Sequence, residues 1–168
     1  MTVTVRAARA GDGDEIARAW LSAAAYYTDL APGHFQVPSA TGLAELFDTG
    51  TGQGGDEVLQ LVAELDGHVV GWLSARVEQP GEDAAAELIR EHGWTRPLVD
   101  ALVVDRRVWR RGAGSALLEA AESWGRDRGA EIVRLGTYAH SPVSVPFYEQ
   151  RMGYTRRSIV FEKRLRPL

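Results

Sequence analysis

The stretch richest in chemistry is Leu102-Val103-Val104-Asp105-Arg106-Arg107-Val108-Trp109-Arg110-Arg111-Gly112-Ala113-Gly114-Ser115-Ala116-Leu117-Leu118. An apolar, β-branched run leads into a Gly-x-Gly turn, and the apolar spacing beyond it predicts a helix. A helix start leaves backbone N–H groups unpaired, and the macrodipole adds partial positive charge there. Gly112 and Gly114 lack Cβ atoms, so an anion can come close to the main chain. Arg106, Arg107, Arg110 and Arg111 add local positive charge to a chain of net charge −4. Phosphate binding at the Gly112–Gly114 turn and the helix start is the chemistry such a turn suits. Gly-x-Gly is also ordinary turn chemistry. A dinucleotide fingerprint needs a third glycine where Leu117 stands, and a P-loop needs a Gly-Lys pair that the chain lacks.

The elements that must position this turn follow from periodicity. Val3 and Val5 alternate in a first short strand, and Asp12 or Asp14 is placed to cap a helix bearing Ile16, Ala19, Trp20 and Ala23. Pro38-Ser39 opens a second helix with Leu43, Leu46 and Phe47, and the glycines between Asp48 and Asp56 predict a flexible connection. Val58–Glu64 and Val69–Val77 read as a hairpin turning at Asp66-Gly67. A helix is expected over Glu82–His92, then a strand buried on both faces at Leu98–Val104. The Gly-containing turn opens a helix to Arg128, with Leu117, Leu118, Ala121 and Trp124 inward. A strand at Ile132–Thr137, a short helix at Val143–Arg151 and one or two closing strands within Tyr154–Arg164 complete the order.

At 168 residues, 45% hydrophobic and 25% charged, the composition is that of one ordinary globular domain. The pI near 5.6 gives no general attraction to nucleic acid or to an anionic membrane. The absence of cysteine excludes disulfides, thiolate metal sites and a cysteine-linked acyl intermediate. Metal-ligand spacings are also missing, so no metal is expected. No apolar run nears the ~20 residues of a membrane span, and the N-terminus has no signal core, so a cytoplasmic location is expected.

With the turn and its flanks in view, the segment resembles the acyl-CoA signature of the GNAT superfamily, an apolar strand followed by [R/Q]-x-x-G-x-[G/A]. Arg111, Gly112, Ala113, Gly114 and Ser115 match the part whose amides receive the CoA diphosphate in that family. Trp109 stands where the signature has Arg or Gln. Downstream, Pro146-Phe147-Tyr148-Glu149-Gln150-Arg151-Met152-Gly153-Tyr154 is similar to the family's F-Y-E-x-x-G-F segment, with one extra residue before Gly153. Ser141 stands where the family often has an Asn contacting the pantetheine arm. The likeness runs from roughly residue 58 to 165.

The resemblance implies an α/β fold with a central mixed sheet of six to seven strands flanked by helices, strands four and five splayed. It implies acetyl-CoA as co-substrate, the arm held on the main chain of Leu102, Val103 and Val104, with Phe147 beside it. Tyr148 aligns with the tyrosine that protonates the leaving thiolate. An amine acceptor must be neutral to attack, and a lysine-like amine is only about one part in a few thousand neutral at pH 7, so a base is useful. Asp100, which shares strand parity with Leu102 and Val104, and Glu78, at the end of the third strand, are the candidates, and each is also readable as a surface or structural carboxylate. His34 and His140 lie on loops, and Tyr26, Tyr27, His34 and Phe35 lie where the family forms its acceptor pocket, with core packing an equal explanation for the two tyrosines. The expected activity is N-acetyl transfer by direct attack in a ternary complex. The alternatives are a non-catalytic acyl-CoA sensor, another short acyl donor or a hydroxyl acceptor. Leu88, Ile89 and Trp94 offer a homodimer contact.

Overall fold

The computed structural model describes residues 2–166. It comprises β1 (Thr4–Ala7), α1 (Gly13–Leu30), α2 (Leu43–Gly50), β2 (Val58–Leu65), β3 (His68–Glu78), β4 (Arg96–Val104), α3 (Ala113–Arg126), β5 (Arg134–Leu135) and the single turn α4 (Ser144–Pro146). Two compact units divide it, the first ending at Gly136 and the second beginning at Thr137. The first unit holds a mixed five-stranded sheet in the order β1-β2-β3-β4-β5. Each pair through β3-β4 is antiparallel, and β4-β5 is parallel.

Helices cover both faces of this sheet. On one face Ile16 of α1 packs into Val62, Val69 and Trp72, with Trp20, Phe47, Ala101 and Val103 around them. Leu117, Leu118 and Ala121 of α3 are fully buried. A Cβ on Gly71 would come within 3.2 Å of Leu117 and 3.0 Å of the Val103 carbonyl, so α3 seats tightly where β3 has no side chain. Each buried leucine contributes about 1.5–3 kcal/mol of apolar burial. The hairpin turn lies where the sequence places it, with Asp66 at φ 54° and Gly67 at φ 81°, as a two-residue turn of this hand requires.

The start of α1 differs from expectation. Asp12 holds the N-cap position, yet its carboxylate takes both Arg6 terminal nitrogens at 2.7 and 2.8 Å and the Arg9 N–H at 2.9 Å. Arg6 also donates from Nε to Glu64 at 2.8 Å, which ties β1, β2 and α1 together. The helix is capped instead by Asp48 of α2, which accepts from the Gly13 N–H at 2.8 Å. The expected flexible connection therefore begins late, since α2 runs to Gly50.

Other departures have physical causes. Glu82–His92 forms two short 3-10 turns, Ala84–Ala86 and Arg90–Gly93, and no α-helix. Leu88 is 99% exposed, so a helix there would bury no apolar face, and isolated helices this short are marginal. The Ile132–Thr137 strand shrinks to Arg134–Leu135. The closing segment within Tyr154–Arg164 pairs with no strand among the described residues, which leaves five strands against the six to seven expected. No described helix is long and apolar enough to cross a membrane.

The hydrogen bonds from Arg6 are the leading cause that holds the Asp12 carboxyl below the ordinary aspartate range. Asp12 is thus harder to protonate folded than unfolded. Its contribution is full above about pH 4 and drains away as pH falls through the lower folded value. Asp12→Asn is expected to cost about 2 kcal/mol at pH 7 and less at pH 3, read from urea midpoints at the two pH values. An equal loss at both would show that the ion pair is not the source.

Candidate functional site

The site begins with an edge of β4. The Asp105 N–H donates to the Val70 carbonyl at 2.8 Å, and the register sets Val103 against Trp72 and Ala101 against Ser74. Since hydrogen-bonded pairs alternate along an antiparallel ladder, Ala101 and Val103 turn their N–H and C=O groups toward β3. Leu102 and Val104 turn theirs to the opposite edge. There β5 pairs only with Leu98 and Val99. Beyond Val99 the parallel ladder stops, and no strand among the described residues pairs with the edge at Leu102 and Val104. The main chain of Val103, expected to hold the same ligand, is committed to β3.

The strand then runs into the turn. Asp105 is buried, and its carboxylate accepts from Arg107 at N (3.0 Å), Nε (3.1 Å) and Nη2 (2.5 Å). These bonds, Arg107's side chain first, hold the Asp105 carboxyl below its usual range. Ser22 of α1 joins the same knot, donating to Asp105 at 3.4 Å and accepting the Arg106 N–H at 3.0 Å. Trp109 donates its indole N–H to the Val104 carbonyl at 2.8 Å. Its ring meets Tyr26 edge-on at 4.9 Å, and the Arg106 guanidinium lies 5.5 Å from the Tyr26 centroid.

Gly112 completes the turn at φ 92°, a left-handed conformation that costs a residue with a Cβ about 1–2 kcal/mol. It is the N-cap of α3 and supplies no side-chain cap. The first helical bond is from the Ala116 N–H to the Gly112 carbonyl at 2.9 Å, so the N–H groups of Ala113, Gly114 and Ser115 stand before it at the helix start. Nothing lies within 4 Å of a Cβ built on Gly112, which leaves room beside the amides. Arg110 and Arg111 are exposed next to them. Uncapped amides, the positive end of the dipole and open space fit a diphosphate.

Asp100 and Glu78 belong to one charge network. Asp100 sits at a β-bulge, the extra residue between the pairs Ala75–Val99 and Ser74–Ala101. The bulge breaks the simple alternation, so Asp100 does not share a face with Leu102 and Val104 by count. Its carboxylate meets Arg76, whose other terminal nitrogen lies 3.9 Å from Glu78. Glu78 also pairs with Arg96 at 3.0 Å. Arg76 and Glu78 have the strand parity of Trp72, so this network occupies the face of β3 on which α1 packs.

Tyr26, Tyr27, Phe35 and His34 form a continuous run of rings. Centroids lie 5.3 Å apart for Tyr26–Tyr27, 5.0 Å for Tyr27–Phe35 and 4.7 Å for His34–Phe35. Through Trp109 the run reaches the turn before α3. No signal in the sequence pointed to Trp109 as a donor or to Ser22 as its companion, because the partners of Ser22 lie 83 and 84 residues away.

In the second unit Ser141 is 2% exposed and its hydroxyl accepts the Ser144 N–H at 3.0 Å, so it fixes the turn into α4. Phe147–Arg151 form a π-helical turn closed by the Met152 N–H on the Phe147 carbonyl at 3.0 Å. One added residue in a helix is accommodated this way. The Tyr148 ring meets Phe147 at 5.1 Å and Tyr154 at 6.0 Å. His140 lies against Tyr138 at 5.6 Å. Among the described residues no group of three His, Cys, Asp or Glu is placed to hold a metal.

Residues 23–154 match the model of the Acetyltransferase (GNAT) family. No curated protein matches the chain in sequence. Among solved structures, a mutant of the BH1408 protein from Bacillus halodurans superposes with a TM-score of 0.80 at 18% identity, covering 96% of this chain and 99% of that one. An acetyltransferase from Trypanosoma brucei gives 0.62 at 20% identity over 98% and 100%. AAC(6')-Iy in complex with the bisubstrate analog CoA-S-monomethyl-acetylneamine gives 0.60 at 17% over 98% and 99%. At these identities the structures share the fold.

The left-handed turn is open to a direct check. Gly112→Ala is expected to lower unfolding stability by about 1 kcal/mol, because nothing crowds the new methyl and only the backbone pays. Denaturation at wild-type stability would mean that the turn is not held left-handed.

Proposed function

The chain belongs to the GNAT acetyltransferase family, and on that premise we propose that it transfers an acetyl group from acetyl-CoA to a primary amine. The observation that carries the reading is the open edge of β4 at Leu102 and Val104 running into the uncapped start of α3. One end suits an extended amide-bearing arm, the other a diphosphate. The relative bound to a CoA bisubstrate analog supports the same choice of co-substrate. The match over residues 23–154 crosses the boundary at Gly136, which supports reading the chain as one functional domain.

In this reading the amides of residues 111–115 take the diphosphate, and Leu102 and the Val104 N–H pair with the arm. A main-chain N–H on that edge polarises the thioester carbonyl. The acceptor nitrogen attacks the carbonyl carbon, the C–S bond breaks, and the proton lost by the amine passes to Asp100 or Glu78, directly or through water. Tyr148 gives a proton to the departing thiolate, an assignment that rests on the Phe147-Tyr148 motif. Ser141 and Phe147 are assigned to the arm on the same ground. The acceptor is a small molecule, an amino acid or a peptide or protein amine.

One observation favours a second reading, a non-catalytic acyl-CoA sensor. Both candidate bases are engaged by guanidinium groups, Asp100 by Arg76 and Glu78 by Arg96. CoA-thiol release over a broad amine panel separates the two. Acceptor-dependent release supports the transferase, and tight acetyl-CoA binding with no release above hydrolysis supports the sensor. For the transferase, Tyr148→Phe is expected to lower kcat about a hundredfold, the low end of the usual worth of a general acid, with acetyl-CoA affinity nearly unchanged. Wild-type turnover in that variant removes Tyr148 from the acid role.

A further inference from the structure

We propose that Trp109 is a positioning residue that sets the span between the two halves of the acyl-CoA site, the open edge of β4 and the start of α3. The inference rests on the acetyl-CoA reading above and adds to it a role for the residue that departs from the signature. Residues 105–111 join the two halves through one 3-10 turn, Arg106–Val108, and beyond it Arg110 is held at φ 65°. A segment of that length needs ties to keep one shape. The Asp105 N–H on Val70 and the Arg106 N–H on Ser22 fix its beginning. The Trp109 indole, 2.8 Å from the Val104 carbonyl, draws its later part back to the strand edge.

This bond acts at the place that matters. It is made to the carbonyl that Val104 turns toward the open edge, so the arm is left the Leu102 N–H and C=O and the Val104 N–H. The same indole rests edge-on against Tyr26 at 4.9 Å, which braces it from α1. A ligand gripped at both halves gains from a span preset to its length, and loses that gain when the span varies. Neither half alone depends on the distance between them.

Trp109→Phe keeps a ring against Tyr26 and removes the N–H. Calorimetry with acetyl-CoA and with ADP, which carries the diphosphate without the arm, is the test, together with turnover of acetyl-pantetheine, which carries the arm alone. The expected result is a roughly fivefold weaker acetyl-CoA Kd, with ADP affinity and acetyl-pantetheine kcat/KM unchanged. Equal weakening of ADP and acetyl-CoA would make Trp109 a shaper of the turn alone and overturn the proposal. No change in any probe overturns it as well. Wild-type protein that binds neither acetyl-CoA nor ADP defeats the acetyl-CoA reading itself, and this inference with it. If the variant does not fold, the unliganded wild type decides: an indole proton of Trp109 protected from exchange in 15N NMR supports the bond, and one exchanging as fast as an exposed indole overturns it.

Discussion

The parting of β5 from β4 after Val99 is the constraint on which the rest depends. A strand inside a sheet has both edges satisfied, and an unpaired edge is a liability that folds close or cover. Here β4 pairs with β3 along its whole length but with β5 at two residues, and the unpaired edge sits directly before the turn into α3. The bulge at Asp100 lies at the same point, and bulges bend a strand and raise its twist. Strand and bulge thus place Leu102 and Val104 at an edge where an extended ligand can act as the missing strand.

An open edge is useful only if the turn beyond it keeps its place. The first unit supplies this through α1, which meets the turn at several points. Ser22 serves both Asp105 and the Arg106 main chain, and Tyr26 receives Trp109 and the Arg106 guanidinium. At its other end α1 is fastened by Asp48 to α2, close to the knot of Arg6, Asp12 and Glu64 on the first two strands. The aromatic run from Tyr26 to Phe35 continues from the same helix. A change in the loop carrying His34 and Phe35 therefore has a packed route to the turn before α3.

Much of this arrangement was legible in the residues because its causes are local. The hairpin at Asp66-Gly67, the apolar strand before the turn and the inward stripe of α3 each follow from periodicity and turn chemistry within a short window. What could not be read has causes far off in the chain. The capping of α1 by Asp48 spans 35 residues, so the nearer Asp12 and Asp14 looked like the natural caps. The bulge at Asp100 broke a parity that counting along the strand must assume. The apolar residues of Glu82–His92 resemble a helix face, yet nothing packs over Leu88 to make one. Val103 looked equal to its neighbours until the register showed which residues turn toward β3.

The departures from the family signature share one physical character. Trp109 replaces a polar side chain and still donates a hydrogen bond, now to the Val104 carbonyl. The extra residue before Gly153 is taken up by a π-helical turn that closes on Phe147, at the start of the segment bearing Tyr148. Ser141 stands in place of an amide, and its hydroxyl oxygen accepts the Ser144 N–H. Each change is answered by a hydrogen bond within a few residues, so its effect on the main chain stays near it. A cofactor grip built from backbone groups tolerates such changes, because any residue type carries the same N–H and C=O. Contacts made by side chains do not survive them in the same way. The chain can keep the co-substrate of its family while its side-chain contacts, and with them its acceptor, become its own.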